Sequence, residues 1–494
     1  MQANAVEPTS HSSPLEDVKH LKVSDINLPT SSPDGLDFDR CSALHNAIVK
    51  HQWQASGRDP ATLPTMTWWQ SPRFAAHLDD LSKYLPDCLV KFLQQALHPG
   101  SSLGPDEPLG NMFYLSRGLA TPDTLWGELL EDMGDGDRVA LYLTDYEISD
   151  PSIDGIVYDV SAHCCVFNSY PYNEFVEEDK TPIWQYLETV LTAWINMIER
   201  KKAAVVPSPF TNYEPDAETG VVGDGLRYPW GWASYTRSDI DETVEAWHDL
   251  ISAINKRLPE SHIEPLSNCP GVFEASDLAA AGITEDSFAW HFYHKARRPH
   301  FRSLGPGNLQ LPSIDQLVNH PFEAAWKTFC SDRPSWIHAY KPSRPLPILL
   351  GQSHTEFWSD EYGSQIESLP WGLYFDLQRN PSEPCPYEDG SRLALPELRQ
   401  NSPLRRLDGQ QAGHADLYQV GQNPFEPDHS TQLRHMLAIF TAHVEDEDWR
   451  IDENGVSEPV TVFEDVAAQM DPDGEEAEGM RFETVYRMYM NCDT

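Results

Sequence analysis

The chain has 494 residues and carries 35 Lys and Arg against 77 Asp and Glu, a formal charge of −42. A field of that sign repels nucleic acid and anionic lipid, so both are excluded as partners of the molecule as a whole. Hydrophobic residues make up 40% and aromatic residues 11%, with 15 Trp, which gives the chain ample material for buried cores and sets it apart from disordered sequences.

The length allows about two to four domains at ~150 residues each. The 40 Pro and 28 Gly argue against a helical bundle or solenoid, because Pro breaks helices and removes a backbone donor. The expected class is α+β: two mixed domains of short helices and strands, with Pro-rich connections and an acidic C-terminal segment. The N-terminal stretch MQANAVEPTSHSSPLEDVKH has no basic start followed by an apolar run, so it does not read as a secretory signal. No run of ~18 apolar residues predicts a spanning helix. The eight Cys are too sparse for a disulfide scaffold, and no usable N-glycosylation sequon is present. These features predict an intracellular protein, cytoplasmic or nuclear, without membrane association and without a cofactor.

In chain order, residues 1–40 are rich in Ser, Thr, Pro and Asp and read as a disordered arm. Two helical patterns between Phe74 and Leu97 are split at Pro86. The second puts Leu89, Phe92, Leu93, Ala96 and Leu97 on one face and stops at His98-Pro99-Gly100. Arg138 to Thr144 reads as a strand, and Gly155 to Phe167 (GIVYDVSAHCCVF) as one or two more. Thr181 as cap and Pro182 at the first helical position predict a helix to about Lys201, with Leu187, Val190, Leu191, Trp194 and Ile198 at helical spacing. These elements make a predicted α+β domain over 41–205, followed by a Pro/Gly/Asp linker over 206–227.

A Trp-rich α+β domain over 228–443 opens with YPWGWASY. Helices are predicted over Ser238 to Ile254, Thr284 to Arg298 and Ser430 to Val444, with a Pro-rich irregular run from Pro299 to Pro347 and a strand over Leu369 to Leu377. The window 444–479 holds fourteen acids and one base, Arg450, so like-charge repulsion predicts a solvated, mobile segment. Residues 480–494 are predicted to contain a closing strand.

Two resemblances follow from particular stretches. The block from about Leu85 to Arg200 carries LPDCLVKFL, then strands, then GIVYDV with Gly155, Tyr158 and Asp159, then TPIWQYLETVLTAWINMI. In that order it resembles a SUKH-type module, the unit shared by a fungal cell-wall-synthesis regulator and bacterial toxin-immunity proteins. The resemblance implies a non-enzymatic, protein-binding role. Over about 283–456, FAWHFYHKARRPHFRSLGPG, NPFEPDHSTQLRHML and DWRIDENGV are similar to stretches of uncharacterised fungal proteins of comparable length. That likeness implies an intracellular fungal protein and no particular chemistry.

The strongest site candidate is the basic segment from His291 to Arg302. Arg297, Arg298, His300 and Arg302 stand there as anion-binding candidates in an otherwise acidic chain, since Arg forks suit carboxylate and phosphate. The competing reading pairs these arginines with acids of their own chain. Trp230 and Trp232, beside Tyr228 and Tyr235, are candidates for stacking on a sugar or peptide, against an ordinary place in a core. His163, Cys164 and Cys165 lack metal-ligand spacing, and neighbours on a strand face opposite ways, so they read as buried residues. Calcium loops fail as well: with Gly455 sixth, the first position is Arg450 and the twelfth Thr461. GxSxG, GxxxxGK[ST] and GxGxxG are all absent. The function expected is therefore a non-catalytic intracellular protein-interaction or regulatory role. An enzyme or small-anion binder built on the Arg/His segment, and a glycan-binding module built on exposed Trp, are the alternatives.

Overall fold

The structure is a computed structural model that describes residues 13–24, 26–30, 35–99, 111–114, 116–125, 138–143, 155–168, 185–206, 221–223, 229–263, 271–318, 346–358, 365–375, 388–394, 431–460 and 462. It is α+β, and its described residues fall into two units that divide between Ala233 and Ser234.

The first unit holds helices α1 (Pro14–Asp17), α2 (Phe38–Ala55), α3 (Leu78–Tyr84), α4 (Asp87–Gln95), α5 (Pro122–Leu125) and α6 (Leu187–Glu199). Its main sheet runs in the order β1 (Gly118–Leu119), β2 (Arg138–Leu143), β3 (Gly155–Asp159) and β4 (Cys164–Asn168), antiparallel throughout. Pro86 separates α3 from α4 as the sequence predicts, because a ring at that position cannot donate to the preceding turn. On one face of the sheet Ala140 packs with Val157 and Val166. On the other, Tyr142 meets Trp194 of α6 edge to face at 5.4 Å and His45 of α2 at 5.8 Å.

Helix α2 was not legible as a helix in the sequence. Asp37 caps it by accepting from the Arg40 N–H, and Cys41, Leu44, His45, Ile48 and Gln52 recur on its buried face. Part of the predicted disordered arm is instead built into this unit. Leu15, Val18 and Val23 are buried, and the Arg40 guanidinium donates to the carbonyls of Leu21, Leu28 and Asn27. Three apolar anchors and one buried Arg outweigh the polar composition that suggested disorder.

The helix expected from Thr181 begins at Leu187, with Tyr186 as its cap. Gln185 exchanges two backbone hydrogen bonds with Cys165 of β4, so its peptide groups serve the sheet and are lost to the helix. Thr181 and Pro182 lie outside the described residues. Gly155 opens β3 at φ 150°, and a Cβ there would sit 1.9 Å from the Tyr142 carbonyl oxygen. Gly155→Ala is expected to destabilise this unit by more than ~1 kcal/mol, read as a lower urea midpoint at unchanged slope.

A small sheet of β5 (Ala203–Val205), β6 (Val221–Gly223) and β7 (Trp230–Ala233), in the order β5-β7-β6, completes the first unit. The predicted boundary at 206–227 therefore falls inside this sheet. Trp230 and Trp232 belong to the first unit because β7 pairs with β5.

The second unit holds α7 (Arg237–Arg257), α8 (Ala275–Ala280), α9 (Phe288–Lys295), α10 (Ile314–Val318) and α11 (Leu433–Glu445). Its strands are β8 (Ser303–Gly305), β9 (Leu309–Gln310), β10 (Pro347–Trp358), β11 (Gln365–Phe375), β12 (Gly390–Ala394), β13 (Thr431–Gln432), β14 (Ile451–Asp452) and β15 (Gly455–Val456). They form one sheet in the order β13-β12-β11-β10-β9-β8-β15-β14, with β15 parallel to β8 and the other pairs antiparallel. Trp247 and Ile251 of α7, Phe292 of α9, Leu349 and Leu373 of the sheet, and Met436 and Phe440 of α11 share its core. Thr236 and Asp239 cap α7 reciprocally.

The strand read at Leu369 is the second half of β11, whose first half continues the hairpin with β10. Helix α9 starts at Phe288, since Ser287 and not Thr284 accepts the capping N–H, from Trp290. The acidic window does not begin as a free segment. Trp449 and Val456 are buried in the core of the unit, and Glu458 accepts from the Arg450 guanidinium at 3.1 Å. The rest of that window, apart from residue 462, and the strand predicted over 480–494 lie outside the described residues.

Candidate functional site

The basic segment follows α9. The helix ends at Lys295 because Ala296 turns extended after its N–H closes the last turn on Phe292. The backbone beyond is pinned. Arg297 bridges Gly271, its carbonyl accepts from Trp247 Nε1 at 2.8 Å, and its N–H donates to His248 Nε2 at 3.2 Å. Burial then alternates: Pro299 and Phe301 point inward, while Arg297, Arg298, His300 and Arg302 are exposed. Two apolar anchors thus display the cationic side chains on the surface of the second unit.

The electrostatics of the segment follow from its neighbours. Lys295 is paired with Asp241 at 3.0 Å. Among the described residues no acid lies in ion-pair contact with Arg297, Arg298 or Arg302. The Arg298 guanidinium sits 5.7 Å from the centre of the Phe273 ring, a cation–π contact that steadies it without neutralising it. His300 Nε2 lies 2.9 Å from the His262 carbonyl, so that nitrogen carries the proton and donates. Burial, and then the Arg297 charge, hold His248 below the usual imidazole range, which keeps Nε2 free to accept from Arg297.

Trp230 and Trp232 do not form a stacking surface. Both are 0% exposed. Trp230 Nε1 donates to the Asn111 carbonyl at 3.0 Å and its ring meets Phe113 at 5.2 Å, while Trp232 packs on Tyr114 at 4.9 Å. Their hydrophobic area is greater than an exposed strand could leave in water, so the core takes them. Among the described residues no group of His, Cys, Asp and Glu is arranged to hold a metal ion. Cys165 is buried against the helices, and its neighbour Cys164 is half-buried, as alternation on β4 requires.

Sequence reading gave no role to a cavity of about 170 Å³ in the first unit, lined by His45, Gln52, His98, Met112 and Arg117 among others. His45 cannot act there as a base. Its Nε2 lies 3.0 Å from the Leu97 carbonyl and must donate, and its Nδ1 accepts from the Tyr142 hydroxyl at 2.9 Å, so both nitrogens are engaged. Burial lowers His45 to about 4, against an opposing contribution from the Leu97 bond, which keeps it neutral near pH 7.

The chain matches no protein-family model, no curated protein and no solved structure. Among the described residues, no helix is long and apolar enough to cross a membrane.

Proposed function

We propose that the chain is a non-catalytic interaction or regulatory protein, and that the segment around Arg297, Arg298, His300 and Arg302 holds an acidic stretch of a protein partner. The observation that carries this reading is the exposure of these four side chains without ion-paired acids among the described residues, in a chain that has 77 acids to offer. A surface that keeps cations displayed and steadied, as Arg298 is by Phe273, suits a carboxylate-rich partner. Exposed apolar residues support the same reading: Ile263 is 46% exposed, next in sequence to His262, which accepts from His300. The free thiols of Cys41, Cys88, Cys164 and Cys165 favour a reducing, intracellular setting.

The test is affinity purification of the tagged chain with mass spectrometry, wild type against Arg297→Glu/Arg298→Glu/Arg302→Glu. A partner rich in Asp and Glu is expected with wild type and lost by tenfold or more in the variant, and its retention should weaken with salt, because exposed charges are screened over ~8 Å at physiological ionic strength. Equal recovery by both proteins removes the proposal. The small-anion reading makes a different prediction: phosphate or a small dicarboxylate at 100 times its dissociation constant adds ~2.7 kcal/mol to the native state, visible as a thermal shift lost in Arg297→Gln.

A further inference from the structure

We propose that the acidic stretch 464–478 of the same chain occupies the surface around Arg297, Arg298 and Arg302, so that an outside partner binds there only by displacing it. The proposal rests on the reading of that surface as one for acidic segments, and it adds what competes for it in the free protein.

The chain that leads to this stretch is fixed beside the basic segment. The Asn454 carbonyl accepts from the N–H groups of Arg302 and Ser303 at 3.0 and 2.8 Å, and Gly455 of β15 pairs with Ser303 of β8. Further on, the Glu458 carbonyl accepts from the Gly307 N–H at 2.6 Å. Val460 and Val462 then pack against the core of the second unit, and the Val462 N–H donates to the Pro459 carbonyl at 3.2 Å. The first acids beyond that anchor, Glu464 and Asp465, follow at once in the sequence. Residues 464–478 themselves lie outside the described residues. Reach does not limit them. The chain from Glu458 to Asp465 can span up to ~25 Å, whereas Arg302 is so close to Gly307 in sequence that the two stand at most ~18 Å apart.

Charge selects the occupant. The stretch holds seven Asp and Glu and no Lys, Arg or His. The three guanidinium groups are exposed and have no ion-paired acid among the described residues. Glu458, the last acid before the stretch, is itself paired with Arg450 at 3.1 Å. An outside acidic segment must approach against the field of a chain at −42, whereas a tethered one is already inside it. A short tether holds its acids at an effective concentration on the order of 1 mM. A stretch with an intrinsic dissociation constant of ~0.1 mM then covers the surface about nine-tenths of the time and weakens any competitor about tenfold.

The test uses a synthetic peptide of residues 463–479 carrying an uncharged fluorophore, titrated by anisotropy into three full-length chains. These are the wild type, a chain with every Asp and Glu of 464–478 changed to its amide, and that amide chain with Arg297→Glu/Arg298→Glu/Arg302→Glu. The peptide is expected to bind the amide chain about tenfold or more tighter than the wild type, and to lose that binding when the arginines are reversed. A fourth chain, with seven exposed acids of the first unit neutralised instead, has the same net charge as the amide chain and is expected to bind like the wild type. An equal gain in that chain assigns the effect to net charge and overturns the proposal. Equal affinity for wild type and amide chain, lost on reversal of the arginines, also overturns it, yet leaves the surface standing as one that takes acidic segments. Binding that survives the reversal overturns it by placing the peptide elsewhere. No binding up to about 1 mM overturns it too, since the tethered concentration is of that order; the reading of an outside partner is then decided by the affinity purification alone.

Discussion

Trp194→Ala is expected to lower the stability of the first unit by ~3–5 kcal/mol, a large fraction of what a domain has to lose. The indole is 1% exposed on α6 and stands between two layers. It stacks on Phe113 at 4.9 Å and meets Tyr142 of β2 edge to face at 5.4 Å. Phe113 in turn touches Trp230 of β7 at 5.2 Å. Truncation therefore leaves a cavity bounded by two aromatic residues from separate segments, Phe113 and Tyr142, and such a site collapses poorly. Urea unfolding followed by near-UV circular dichroism measures the loss. A change under ~1 kcal/mol would mean that the indole contributes little packing to this unit.

The sequence announced α6, the β2–β4 strands, α4 and α7, because periodic apolar residues and Pro86 state them locally. It concealed what rests on long-range contacts. Helix α2 has a polar, His-rich pattern, and its buried face includes Arg40, His45 and Gln52, residues that hydropathy counts as surface. Arg40 is buried only because three carbonyls from residues 21–28 converge on it. The Trp230 and Trp232 side chains were ambiguous for a related reason. A Trp pair on a strand reads alike in a groove or a core, and pairing with β5 across more than twenty residues decided it. The basic segment was visible as composition. Its exposure was not, since that depends on Pro299 and Phe301 turning inward.

Acid is expected to loosen the first unit well before its ordinary carboxylates protonate, with His45 as a principal cause. Burial holds His45 at about 4 in the folded chain, with repulsion from His98 acting the same way and the Leu97 bond opposing. An imidazole in the unfolded chain titrates near 6.5. The folded value is the lower one, so the unfolded chain takes up the proton first. The stabilisation is complete above pH ~6.5 and is lost as pH falls toward the folded value, at ~1.4 kcal/mol per pH unit for one histidine. Between pH 6.5 and 5 the loss is about 2 kcal/mol. His98 is also lowered to about 4, by burial and then by Arg73, but it is partly exposed and adds less. Glu188 acts in the opposite sense, because burial raises it and its protonation favours the folded chain at low pH. The useful quantity is therefore the difference between two slopes. Urea unfolding of wild type and His45→Gln at pH 7.0, 6.0 and 5.0 should show the variant less stable at pH 7, where it loses the Tyr142 bond, yet flatter in pH by roughly one proton. Parallel lines for the two proteins would show that His45 is not the group that couples folding of this unit to acid.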